Sequence, residues 1–93
     1  MHMYVFSIIT QNTLCVLQRV AGMFSRYRIN IEHINISRHT NTLSYWTVVI
    51  HSHDEKVDLL TKQLGKVIEV VEIKIIDKVE LTPEDKIKIE GRG

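Results

Sequence analysis

Ninety-three residues suffice for one small domain, near the lower end of what buries a core without disulfides or metals. A hydrophobic share of 44% and a charged share of 25% exclude wholesale disorder, and a net charge of +1 is too small for the basic field that nucleic-acid or membrane-surface binding draws on. The single cysteine, Cys15, excludes an internal disulfide framework, no apolar run reaches the ~20 residues of a membrane span, and no basic-then-apolar leader stands at the N-terminus, so the expectation is a soluble cytoplasmic domain.

Met3 to Thr10 is apolar on both faces, with Tyr4, Phe6 and Ile8 on one side and Met3, Val5 and Ile9 on the other. That pattern predicts a central strand, covered on each side by helices or by a partner. Gln11 to Glu32 then holds a polar turn, one amphipathic helix and the opening of a strand. Leu14, Leu17, Ala21 and Phe24 recur at spacings of three and four, with Val16 and Val20 beside them, and form the predicted stripe that meets the sheet. Asn12 or Thr13 is placed to cap the first turn. Backbone donors at such a helix start favour small anionic groups, including the carboxylate of an amino acid.

From Ile29 to Arg38 the residues alternate, but the phase slips between Ile31 and Ile34, which predicts a bulge or bend in an edge strand. Thr40-Asn41-Thr42 reads as a turn, and Leu43 to His51, rich in β-branched and aromatic residues, as a third strand. His53-Asp54-Glu55 opens a second helix with acidic side chains at its positive end, Val57, Leu60, Leu64 and Val67 forming its stripe and Gly65 lying near its close. Ile68 to Val79 is the last strand, with Val71, Ile73 and Ile75 on one face.

The order strand-helix-strand, twice, predicts an α+β fold: a ferredoxin-like βαββαβ sandwich, with a four-stranded antiparallel sheet and two helices on one face. The uncovered face carries surplus apolar surface, to which Trp46 is expected to add. That surplus predicts a homodimer, with edge strands pairing so that two sheets run on as one. Residues 1–79 make the domain. Residues 80–93, with Pro83 and few apolar side chains, are expected to be a flexible tail, with an added strand at Lys86-Ile87-Lys88-Ile89 as the alternative. Ile89-Glu90-Gly91-Arg92 resembles a protease recognition sequence used in engineered fusions and carries no functional weight.

Single residues have plain readings. Cys15, between Leu14 and Val16, is expected to be a small buried apolar residue and no nucleophile. His51 and His53 share a strand face at i, i+2, but without a usual ligand set beside them they are expected to be surface histidines holding no metal. Arg26 and Arg28 suit the negative end of the first helix as solvated cations, with an acidic partner protein as the alternative.

The run Asn12-Thr13-Leu14-Cys15-Val16-Leu17-Gln18-Arg19-Val20-Ala21-Gly22-Met23-Phe24-Ser25, followed by Asn30-Ile31-Glu32-His33-Ile34, resembles an ACT domain, and most of all that of the acetolactate synthase regulatory (small) subunit family. The family's turn reads roughly Glu-Asn-x-x-Gly-x-Leu-x-Arg-Val, and its second strand opens Tyr-Asn-Ile-Glu. Asp54-Glu55-Lys56-Val57 and Lys62-Gln63-Leu64-Gly65-Lys66-Val67 resemble its second helix, so the similarity runs from about Met3 to Val79. This resemblance implies a non-catalytic subunit, without a cofactor of its own, that activates a thiamine-diphosphate catalytic subunit and mediates feedback by valine or related branched-chain amino acids in their biosynthesis. The effector would sit between two ACT domains, held by the turn of one and the strand of its mate. By matching position, its contacts are Asn12, Cys15, Asn30 and Ile31. The chain departs from the family at Cys15 and Arg28, which replace glycines, and at Gln11, which replaces Glu. The alternative is therefore a stand-alone ACT-type binding or dimerisation module with a degenerate effector site.

Two other functions on the same fold fare worse. Acyl-phosphate hydrolysis needs a glycine-rich phosphate cradle and an Arg, and the turn at Gln11 to Cys15 has neither. RNA binding on the open sheet needs stacking aromatics, and the aromatic content is 6%.

Overall fold

The computed structural model describes residues 1–80: Glu80, expected to open the tail, pairs with His2 in the last strand, and the rest of the expected tail, with its Ile89–Arg92 sequence and the alternative strand at Lys86–Ile89, lies outside the described residues. The elements run β1 (His2–Gln11), α1 (Val16–Arg26), β2 (Ile31–Arg38), β3 (Leu43–Ser52), α2 (Asp54–Leu64) and β4 (Val70–Glu80). The sheet order is β2-β3-β1-β4, and every neighbouring pair is antiparallel. This is the ferredoxin-like sandwich that the order of elements predicts.

β1 is central, as its two apolar rows require. Tyr4, Phe6 and Ile8 join Trp46, Val48 and Ile50 of β3 beneath Val16, Val20 and Phe24 of α1 and Val57, Leu60 and Leu64 of α2. The second row, Met3, Val5 and Ile9, is half-buried on the open face. β3 alternates without interruption, its even-numbered residues all buried. Trp46 belongs to that buried row and is 1% exposed, its indole N–H donating to Thr10 Oγ1 at 3.0 Å. Trp46 is thus a core residue on the helix-covered side and adds nothing to the open face, contrary to expectation.

The sheet-facing stripe of α1 keeps Phe24 of the expected one and the flanking Val16 and Val20, but not Leu14 or Leu17. Val16, Val20 and Phe24, four residues apart, are buried, while Ala21 is intermediate and Leu14 and Leu17 are 90% and 52% exposed. The helix begins only at Val16, so Leu14 belongs to the turn, and Val16 sets the phase that faces the sheet. A row of residues four apart selects that face as well as the expected one does; the start of the helix decides between them.

The edge strands carry the irregularities. In β2, Ile31 pairs with Ile50 and His33 with Val49, leaving Glu32 as the extra residue of the predicted bulge. Ile29 is buried ahead of the strand, which opens at Ile31 and not at Ile29. In β4 two register shifts leave Val71 and Ile76 without partners on β1, so Val70 and Ile73 meet the core while Val71 and Ile75 are exposed. The expected single face of Val71, Ile73 and Ile75 is broken by the first shift, and Ile68 stands outside the strand.

At the opposite end of the sheet from the α1 start, α2 is tied down by its first residue. The Tyr4 hydroxyl donates to the Asp54 carboxylate, which also meets His2 Nδ1 at 3.1 Å and Lys78 Nζ at 3.3 Å. The Tyr4 hydrogen bond, then the Lys78 ammonium, hold the Asp54 carboxyl below the usual carboxylate range. Burial, then the Asp54 charge, push the Tyr4 phenol up.

Candidate functional site

The turn between β1 and α1 is fixed by backbone bonds on two sides. The Gln11 N–H donates to Glu69 O at 2.7 Å, and the Asn12 N–H donates to Thr42 O at 2.8 Å. Cys15 occupies the N-cap position with φ 68, and no side chain caps the helix. The expected capping by Asn12 or Thr13 is therefore absent: the left-handed residue re-aims the chain after both of them. No acidic residue stands in the first turn either. The helix start keeps its positive character, which suits an anionic group.

Cys15 is exposed, not buried. Its flanking residues do not enclose it, because Leu14 points outward and Val16 alone turns to the core. Beside the turn lies an open notch of about 330 Å³, lined by Gln11, Asn12 and Thr13, by Asn41, Thr42 and Leu43 of the β2–β3 hairpin, and by Val71. The hairpin is closed by Thr40, whose Oγ1 accepts from the N–H groups of Thr42 and Leu43 at 3.3 and 3.1 Å.

Asn30 and Ile31 lie at the other end of α1. There the helix closes with the Ile29 N–H donating to Phe24 O at 2.9 Å and the Arg28 N–H to Ser25 O at 3.0 Å. Arg28 takes φ 55, the left-handed conformation that such a helix terminus uses. Asn30 Nδ2 donates to Glu32 Oε1 at 3.2 Å, and the same oxygen lies 3.4 Å from His51 Nδ1. His51 is not a surface histidine: its side chain is 11% exposed, and its Nε2 is buried without a partner. Nor does it share a strand face with His53, which lies beyond β3 at the N-cap position of α2, makes no side-chain cap bond and is exposed. Among the described residues no group of three or more His, Cys, Asp or Glu is arranged to hold a metal ion, and no helix is long and apolar enough to cross a membrane.

The four candidate effector residues thus form two pairs in one chain. Asn12 and Cys15 precede α1, Asn30 and Ile31 follow it, and an 11-residue helix separates the pairs by about 16 Å. Of the four, Asn12 alone lines the notch, and within one chain the structure does not bring all four together.

Sequence reasoning missed one pair of residues here. Arg19 Nη1 donates to Glu69 Oε1 at 2.8 Å and to Oε2 at 2.5 Å. The available signal was an acidic residue inside the apolar run Val67-Ile68-Glu69-Val70-Val71, since a carboxylate is seldom buried unless it is paired.

A family model described as "AHAS small subunit-like ACT domain" matches residues 6–72. The chain belongs to this ACT-domain family. Among its relatives, the probable acetolactate synthase small subunit of Methanothermobacter thermautotrophicus is 32% identical over 75 residues, covering 80% of this chain and 45% of the relative. The acetolactate synthase small subunit of Mycobacterium leprae is 34% identical over 71 residues, 75% of this chain and 42% of the relative. The crystal structure of the acetolactate synthase small subunit from Thermotoga maritima superposes with a TM-score of 0.73 at 29% identity, covering 88% of this chain and 50% of that one. This ACT domain therefore spans about half the length of the relatives it matches. The ACT domain of a Chlorobium tepidum GTP pyrophosphokinase, 17% identical with a TM-score of 0.68, shares the fold alone. Cys15 and Arg28, where the resemblance implies glycines, both have positive φ.

Proposed function

We propose that this ACT domain is the non-catalytic regulatory subunit of an acetolactate synthase, working in the cytoplasm as a homodimer that binds a branched-chain amino acid and conveys its presence to the catalytic subunit. The observation that carries the reading is the division of the candidate site between the two ends of α1. β2 runs from Asn30 and Ile31 toward the hairpin, and the hairpin returns Leu43 opposite Gln11. The far end of β2 therefore lies at the same end of the sheet as the Asn12–Cys15 turn. A second β2 paired antiparallel across a twofold axis would set the partner copy's Asn30 and Ile31 beside that turn, completing the site.

Edge exposure supports that pairing. β2 has β3 on one side only, and its Ile34 and Ile36 are 38% and 40% exposed. The amino acid's carboxylate suits the uncapped start of α1. Bound across two chains, it stabilises one arrangement of the dimer, which the catalytic subunit reads as a population shift. A coupling of ~1–3 kcal/mol changes the response 5- to 150-fold.

The positive φ values at Cys15 and Arg28 favour one further reading, a dimerisation module whose effector site is degenerate. There the exposed Cys15 Cβ and sulfur occupy space that a glycine leaves to a ligand. Calorimetry with valine, isoleucine and leucine separates the two: heat with any one supports sensing, and none at millimolar ligand supports the degenerate module. Co-elution of the chain with a thiamine-diphosphate acetolactate synthase tests the regulatory role that both effector outcomes leave open. Separate elution contradicts it.

A further inference from the structure

We propose that Glu69 is a positioning residue for the effector turn, holding Asn12 and Cys15 in place through Gln11 on one side and Arg19 on the other. The inference rests on the reading of that turn as the effector-binding element. The local burial order is inverted: Glu69 is 6% exposed while its neighbour Ile68 is 87% exposed. A chain that turns a carboxylate inward and an isoleucine outward does so only if the carboxylate is well paired, because an unpaired buried charge is strongly disfavoured.

The pairing is specific to the turn. The side chain of Glu69 accepts both bonds from Arg19 Nη1, at 2.8 and 2.5 Å, and its backbone oxygen accepts from the Gln11 N–H at 2.7 Å. Arg19 in turn donates its own N–H to Cys15 O at 3.2 Å. One residue ahead of β4 therefore grips the last residue of β1 and the first turn of α1, and the segment between those grips carries Asn12 and Cys15. Arg19, 60% exposed at its side chain, has its charge balanced by Glu69, so it holds the turn in place and does not serve as an unpaired cation for a ligand. Because Glu69 leads directly into β4, the grip also joins the turn to the sheet edge opposite β2.

The test uses the full 93-residue chain with Glu69→Gln, Arg19→Met and Arg19→Lys, reading amide hydrogen exchange residue by residue. Glu69→Gln and Arg19→Met are expected to speed exchange at the Gln11 and Arg19 amides about tenfold while leaving Phe6 and Val48 unchanged, since local opening is independent of global unfolding. Arg19→Lys, which restores the charge, is expected to return those rates to within roughly threefold of wild type. Binding of valine, isoleucine or leucine should weaken with the same ranking of variants. Unchanged turn exchange overturns the inference. So does a uniform rise across the sheet, which marks a global structural role. Should wild type bind none of the three amino acids, the sensing reading falls, while the exchange result still decides whether Glu69 sets the turn.

Discussion

Cys15 and Arg28 bracket α1, each with a left-handed backbone, φ 68 at the first and φ 55 at the second. Both residues carry a Cβ where that conformation favours glycine, and each costs roughly 1 kcal/mol for it. Replacing either by glycine is expected to raise stability by up to about 1 kcal/mol, which in a domain of this size is a rise of about 4–8 °C in melting temperature. Thermal melts of Cys15→Gly and Arg28→Gly check this. Under the degenerate reading, Cys15→Gly should also create or strengthen amino-acid binding.

The buried Trp46–Thr10 bond gives a prediction about the core. Thr10→Val keeps the shape but removes the acceptor of the indole N–H, leaving it unpaired in the interior. The expected loss is about 1–3 kcal/mol. Trp46 is the single tryptophan, so its fluorescence in a denaturant titration reports the change directly.

The Tyr4–Asp54 contact predicts sensitivity at both ends of the pH range. Asp54 is held below the usual carboxylate range when folded, first by the Tyr4 hydroxyl and then by Lys78, so its contribution is present above the unfolded carboxylate pKa and is lost as pH falls through the lower folded value. Tyr4 is pushed up when folded, so its contribution is full below the ordinary phenol pKa of about 10 and declines as pH rises past it. Tyr4→Phe should flatten the stability profile above about pH 10 relative to wild type. Denaturant midpoints across the range provide the check, and an unaltered alkaline limb would argue against the contact.

Edge pairing through β2 predicts that Ile34→Asp produces a monomer. Ile34 is outside the core cluster and partly exposed, so the substitution leaves the fold intact while placing like charges opposite one another across the proposed twofold. Light scattering at micromolar concentration should fall from twice the chain mass to once. Circular dichroism should be unchanged.

Much of this architecture was legible in the residues, for definite reasons. The double apolar row of β1 could only be central, and the phase slip after Ile31 marked the bulge at Glu32. What escaped depended on contacts distant in sequence. The start of α1 is set by the backbone of Cys15, and only that start decides that Val16, not Leu14 or Leu17, meets the sheet. Alternation placed Trp46 on one face of β3 without saying which face the helices cover. The turn and strand residues of the candidate site were named from family resemblance, but Arg19 and Glu69, fifty positions apart, have no joint signature in one sequence.

The regulatory role is tested most directly by measuring acetolactate formation by a thiamine-diphosphate catalytic subunit with and without this chain, and then with added valine, isoleucine or leucine. A higher rate with the chain, lowered again by one of the three amino acids and insensitive to them with Ile34→Asp, is the predicted result. A rate that neither the chain nor the amino acids alter would contradict it.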